Sequence, residues 1–305
     1  MSRISTFSVL LASSALATLL ISSPAFATRP MPKAKTYTAQ ELSCKSYDDW
    51  NEATPPRHIY GNTWYVGTCG ISTILIAHPS GHVVIDSGTS ESFDGLKARL
   101  DSLGIRLRDV RAILTTHEHH DHVGGVAQLQ EVTGAKVYVR AQGKTVMATG
   151  KHDRSDPQFE ILTSMKPVNN LIVIGDGQVL KLAGTEFHNI PMPGHTPAGS
   201  GWRWQQCEKG VCRQLVFSDS LGSISDDHYE YFAPNGLGES LRASALRLTQ
   251  QPCDILITGH TGASDIIERL DGKGELVDRL ACKDFSAVGL KNLDKRLQKE
   301  RDSKL

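Results

Sequence analysis

The chain has 305 residues, 39% of them hydrophobic and 22% charged, enough for one large domain or two small ones. Its 33 basic and 33 acidic side chains give a formal net charge of zero. With no long basic run, nucleic acid is excluded as the main partner, because phosphate binding leans on clustered Lys and Arg; a small neutral or zwitterionic molecule is the more natural ligand.

Residues 1–27 read as a secretory signal peptide. Arg3 precedes an apolar stretch from Phe7 to Ile21, and Ala25 and Ala27 supply the small residues of a cleavage site. The alternative, a membrane anchor, is disfavoured because that stretch is shorter than the roughly 20 residues of a spanning helix. No later segment is long and apolar enough to span, so no membrane partner is expected after cleavage. The six cysteines, Cys44, Cys69, Cys207, Cys212, Cys253 and Cys282, are an even number in an exported chain, which favours disulfides. About 15 pairings are open; pairing in sequence order is expected, Cys207 with Cys212 most securely because the loop between them is so short.

A polar lead, residues 28–57, precedes β-like runs at Asn62 to Val66, Ser72 to Ala77 and Val83 to Asp86, punctuated by Gly70, Pro79-Ser80-Gly81 and Gly88. Phe93, Leu96, Leu100 and Leu103 have helical spacing, and Val110 to Leu114 reads as a buried strand. That strand delivers the chain into Thr116-His117-Glu118-His119-His120-Asp121-His122, four histidines and two carboxylates in seven residues. Crowding lone pairs this way is costly unless a cation gathers them, so the run predicts a metal site.

Beyond it, Gly124-Gly125 is read as a tight turn, followed by a helix from Val126, a strand at Val137 to Val139 and a helix over Ala141 to Thr149. The stretch Gly150 to Pro167 has no period and reads as a loop, either a substrate-contacting flap or a plain connector. Further strands are predicted at Leu171 to Ile174, Val179 to Leu182, Thr185 to Ile190, Gly201 to Trp204 and Gln214 to Phe217. A helix over Leu237 to Leu248, a buried run Cys253 to Thr258 and a surface helix after Lys291 complete the pattern. Two β-rich halves closed by helices predict an α+β fold of αββα type, two facing sheets covered by helices on both outer sides. Without a Gly/Ser or Pro linker, residues 28–305 are expected to form one domain.

Metal loops follow strands because a rigid strand end aims each ligand. Three places fit: Thr116-His117, Pro193-Gly194-His195 and Thr258-Gly259-His260. Six candidate ligands exceed the demand of one catalytic zinc, which takes about three protein ligands and an open position, so two ions are implied. His117 and His119 alternate and can share one ion, while Asp121 and His122 face the other.

The motif HxHxDH, present as His117, His119, Asp121 and His122, together with Gly194-His195-Thr196-Pro197 and Gly259-His260, resembles the metallo-β-lactamase superfamily, and within it subclass B3. The similarity runs from about Trp50, through Gly61-Asn62-Thr63-Trp64 and Val84-Ile85-Asp86-Ser87-Gly88, to Cys282. The resemblance implies a two-zinc β-lactamase that hydrolyses the β-lactam amide of penicillins, cephalosporins and carbapenems by a metal-bound hydroxide. It implies that His117, His119 and His195 bind the first zinc, and that Asp121, His122 and His260 bind the second. Asp121 also orients the nucleophile. A histidine at the second zinc where other subclasses use cysteine is the mark of B3, and no cysteine stands near these motifs.

Asp86 resembles the carboxylate that hydrogen-bonds a ligand imidazole and fixes its tautomer. Ser220 matches a serine that holds the substrate carboxylate. The usual second serine, two positions on, is Gly222 here, with Ser223 as a substitute. Asp219 matches the place where other superfamily hydrolases put a carboxylate between two metals, and that role stays open. Trp50 and Gln158 are candidates for the pocket wall. The resemblance further implies a periplasmic monomer. The rival readings are another exported metallo-hydrolase, an acyl-homoserine lactonase or a thioesterase, and a non-catalytic zinc protein. The latter would close its site with four ligands.

Overall fold

The structure is a computed structural model that describes residue 1, residues 31–33 and residues 35–304; the expected signal peptide, Met1 apart, lies outside the described residues. Among the described residues, twelve strands form two sheets. The first contains β1 (Arg57–Tyr60), β2 (Thr63–Tyr65), β3 (Ile74–Ile76), β4 (His82–Ile85), β5 (Val110–Leu114), β6 (Lys136–Arg140) and β7 (Leu171–Ile174), in chain order. The second contains β8 (Val179–Leu182), β9 (Thr185–Pro191), β10 (Ser200–Glu208), β11 (Val211–Ser218) and β12 (Ile255–Thr258), also in chain order. The helices are α1 (Ala39–Leu42), α2 (Phe93–Ser102), α3 (His120–Val123), α4 (Val126–Thr133), α5 (Lys144–Thr149), α6 (Gly238–Thr249), α7 (Ile266–Leu270) and α8 (Ala281–Asp302).

Short turns make β1 to β4 antiparallel, whereas helical crossovers make β4 to β7 parallel; β8 to β11 are antiparallel and α6 brings β12 back parallel to β11. Alternation along each strand then sorts side chains into layers. Ile113 of β5 faces outward to Leu96 and Leu100 of α2 and Leu129 of α4, while Leu114 faces inward to the layer of Phe187, Trp202, Phe217 and Ile257 from the second sheet. On the far side, Val216 and Leu256 pack under Leu241 and Leu248 of α6 and Leu293 of α8. This is the αββα sandwich. Trp202 Nε1 donates to Thr115 O at 2.9 Å, tying the sheets together next to the histidine run.

The polar lead is less featureless than its composition suggests. It contains α1, whose Thr38 and Glu41 form a capping box, and it ends on the first residue of β1. β10 and β11 run to Glu208 and from Val211, longer than expected, because Lys209 (φ 49°) and Gly210 (φ 81°) make a two-residue hairpin turn. The last helix starts at Ala281, ten positions before Lys291, and is half buried: Cys282, Ser286, Gly289, Leu293 and Leu297 face α6 and the sheet. Disulfides join Cys44 to Cys69, Cys207 to Cys212 and Cys253 to Cys282, in sequence order. No helix among the described residues is long and apolar enough to cross a membrane.

Candidate metal centre

The loops that leave β4, β5, β9, β11 and β12 converge on one edge of the sandwich and carry Asp86, His117, His195, Asp219 and His260. After His119 the chain enters the single turn α3, which folds Asp121 and His122 back under the same edge. Gly194 (φ 150°) turns the chain while its Cα lies so near α6 that a Cβ would come within 2.5 Å of Leu241 Cα. Gly259 supplies room rather than a turn: a Cβ there would lie 2.6 Å from His122 Cε1. Gly124 likewise keeps a helical φ, and its small size admits Ser90 N within 2.9 Å of a Cβ position.

One ligand atom each from His117, His119 and His195 lies within 4.8 Å of the others, and so do those of His117, Asp121 and His122. Asp121 Oδ2 stands 3.0 Å from His122 Nε2 and 3.2 Å from His260 Nε2, which brings the half-exposed His260 into the second group. Apart from His260, these side chains are buried.

Three partners aim three rings. Asp219 Oδ1 lies 2.7 Å from His117 Nδ1, Asp156 Oδ2 lies 2.9 Å from His119 Nε2, and His195 Nδ1 donates to Gly222 O at 2.9 Å. Each contact leaves the other ring nitrogen for the centre. His117 Nε2 and His122 Nδ1 are buried without a hydrogen-bond partner, and His122 Nε2 meets only the Asp121 carboxylate at 3.0 Å. Such orphaned nitrogens cost about 1–3 kcal/mol each unless something electrophilic meets them, so the donor set fits a metal ion.

The electrostatics agree. Burial, reinforced by the neighbouring histidines His122, His119 and His195, pushes His117 well below the usual imidazole range. Burial and His119 push His195 down to about 3, so both rings stay neutral with lone pairs free. Burial disfavours the charge on His122, but the Asp121 carboxylate overrides it and raises the ring to about 9. The Asp121 carboxylate thus favours positive charge at this place, as it would favour a cation.

Asp86 departs from expectation. Its buried carboxylate accepts from Thr116 N–H at 2.8 Å and Thr116 Oγ1 at 2.6 Å, while His122 Nδ1 lies 3.7 Å away, outside hydrogen-bond reach. It braces the start of the histidine run through Thr116 rather than fixing an imidazole directly. Asp219 spends an oxygen on His117. Glu118 turns away to accept from Thr196 Oγ1 at 3.0 Å, and His120 meets Glu91 and Ser90 at 3.1 Å.

A cleft of about 240 Å³ opens beside His195 and His260 and is lined by Ser220, Leu221 and Gly222. Gln158, on the loop over 150–167, is not part of that lining, although its Nε2 lies 3.4 Å from His195 Nε2. Trp50 is likewise outside the lining, its ring centre 6.1 Å from that of His260. Ser223 is not part of the lining. Ile224 takes that place, and the Ser223 carbonyl accepts from Arg296 Nη1 at 3.4 Å. Two groups escaped the sequence reading: Asp156, in a segment with no period, and Asn292, which reaches the cleft from α8.

The sequence profile described as the metallo-beta-lactamase superfamily matches residues 66–203. The fold is similar to that of MEM-A1, a subclass B3 metallo-beta-lactamase from a soil metagenome library, at a TM-score of 0.81 and 35% identity, covering 84% of this chain and 100% of that one. The chain belongs to the metallo-beta-lactamase superfamily. MIM-1 of Novosphingobium pentaromativorans, another metallo-beta-lactamase, is 39% identical at a TM-score of 0.81, covering 87% of this chain and 98% of that one. Among curated relatives, a hydroxyacylglutathione hydrolase of Serratia proteamaculans is 28% identical over 185 residues, which span 60% of this chain and 58% of that protein. The histidine and aspartate clusters, which could hold a metal ion, thus sit in a metallo-beta-lactamase fold that has subclass B3 proteins among its structural neighbours.

Proposed function

We propose that the mature chain is a periplasmic, monomeric β-lactamase requiring two zinc ions and hydrolysing the β-lactam amide of penicillins, cephalosporins and carbapenems, with residues 1–27 as its signal peptide and residues 28–305 as one domain. His117, His119 and His195 would hold the first ion, and Asp121, His122 and His260 the second. The observation that carries this reading is Asp121 Oδ2 lying between His122 Nε2 and His260 Nε2, an imidazole-only complement to the carboxylate with no thiolate near it. When bound, zinc lowers the pKa of water to about 7 and polarises a carbonyl.

The protein's part is to place the reactants. Asp121 accepts a hydrogen bond from the attacking water and turns its oxygen toward the carbonyl carbon. That bond forms as the ring C–N bond breaks, and the nitrogen takes up the proton that the water gives up. Ser220 donates to the substrate carboxylate from the floor of the cleft, with Gln158 beside His195 and Trp50 near His260. What supports this role for Ser220 is its place in the lining of the cleft beside His195 and His260, where Asp219 is absent.

The thioesterase alternative draws on the curated hydroxyacylglutathione hydrolase and is tested in the same assay. Purified mature protein is given a carbapenem, a penicillin, a cephalosporin, a hydroxyacylglutathione and an acyl-homoserine lactone, before and after chelation and zinc return. Loss and recovery of β-lactam hydrolysis supports the proposal. Turnover of only the thioester or lactone replaces it, and Asp121→Ala with normal turnover and full zinc content removes the role given to Asp121.

A further inference from the structure

Away from the metal centre, the second sheet carries a groove of about 410 Å³ whose lining includes His78, Glu186, His188, Arg203, Gln205 and Gln214. The first residues of β9 line it, whereas the last residues of β9 lead to Gly194-His195. Alternation along β10 turns Trp202 and Trp204 into the core between the sheets and Arg203 and Gln205 to the opposite face. Across the sheet, Arg203 is in register with His188 of β9 and Val216 of β11.

Arg203 is short of partners. Its Nη1 donates to Gln214 Oε1 at 2.9 Å, its Nε is buried with no acceptor, and it makes no ion pair among the described residues. Other arginines of this chain do have carboxylates: Arg57 meets Asp271 at 2.6 Å and Arg140 meets Asp176 at 2.9 Å. Glu186, the carboxylate of this lining, is already engaged by Lys181 at 2.9 Å. His78 spends Nδ1 on Ser80 at 2.7 Å, leaving Nε2 over Gly184, and the His188 ring makes no hydrogen bond among the described residues. The groove thus offers a half-buried guanidinium, side-chain amides and two imidazoles, with its one carboxylate paired to Lys181. A cation would be repelled there.

We infer that this groove is a second binding site, for a small oxyanion of carboxylate or phosphate type, held by the Arg203 guanidinium with His188 beside it. The guanidinium fork is shaped for such groups, and an anion supplies the acceptor that the protein does not. The site lies outside the metal centre and does not depend on the reaction proposed above.

The test uses the metal-loaded full chain at constant ionic strength, titrated with inorganic phosphate and separately with succinate while the unfolding midpoint is followed. Because metal centres bind oxyanions too, the comparison is with Arg203→Gln, which leaves that centre intact. Saturable stabilisation is expected in the native protein and about ten- to hundredfold weaker half-saturation in Arg203→Gln, as for loss of a charge-assisted pair. Gln214→Glu sets a carboxylate where Oε1 now stands, so it is expected to raise the midpoint without anion and to abolish the response. This variant decides the question if Arg203→Gln folds poorly. A response to one anion alone supports the inference and names its class. Equal responses in native protein and both variants, or no saturable response to either anion, overturn it.

Discussion

Asp156 Oδ2 lies 2.9 Å from His119 Nε2, so a loop with neither helix nor strand sets the orientation of an imidazole at the metal centre. Carboxylates that orient ligand imidazoles are worth about 10–100-fold in metal affinity. Asp156→Ala is therefore expected to weaken retention of one ion by about that factor while the second stays bound. Competition with a chromogenic chelator reads both steps; an unchanged first and second affinity would show that the contact positions nothing.

Asp219 and His117 form the corresponding buried pair, 2.7 Å apart. If the carboxylate acts through His117, Asp219→Asn lowers metal affinity about 10–100-fold, and at saturating zinc it lowers kcat with KM nearly unchanged. A rise in KM alone would instead place Asp219 on the substrate and reverse the roles given to it and Ser220.

How the loop over 150–167 is held suggests a third experiment. Asp226 accepts from Arg154 Nη1 and Nη2 at 2.8 and 3.0 Å and from the backbone N–H groups of Glu160 and His228 at 3.1 and 3.0 Å, while its own N–H donates to Pro157 O. Arg154 is 43% exposed, so solvent screens the ion pair and Arg154→Ala is expected to cost little stability. Asp226→Ala also strips the acceptor from two backbone donors and is expected to cost about 1–3 kcal/mol. It should expose the loop to limited proteolysis and speed metal loss through Asp156. Equal proteolysis rates in the two variants would assign the restraint to the ion pair alone.

The contrast between what the sequence discloses and what it hides has a physical basis. His117, His119, Asp121 and His122 are legible because local spacing alone crowds their lone pairs, and His195 and His260 because each follows a strand and a glycine. Asp156 is invisible because its value comes from His119, 37 positions earlier, through a tertiary contact. The first half of α8 hides for a different reason: its buried positions Cys282, Ser286 and Gly289 do recur at helical spacing, but they are small or polar and leave no apolar stripe. In β1 the alternating inward position Arg57 is charged, and its pairing with Asp271 just past α7, together with acceptors from Thr54, Pro55 and Leu42, makes burial tolerable. At Gly259 a turn and a close approach would leave the same letter in the sequence, and the His122 ring against it shows that it is the close approach.

That close approach can be tested directly. The His122 ring rests on Gly259, where an added Cβ would sit 2.6 Å from Cε1 and 3.1 Å from Nδ1. Neither side can retreat easily: Ser72 N–H donates to the Gly259 carbonyl at 2.8 Å, and the His122 ring is fully enclosed. Gly259→Ala is thus expected to cost about 1–3 kcal/mol of overpacking and to displace His122 from Asp121. If His122 belongs to the second ion, the purified variant should keep its circular dichroism and bind one zinc per chain where the native protein binds two. Two tightly held ions in a folded Gly259→Ala protein would mean that the ring moves without consequence and that His122 is not a ligand of the second site.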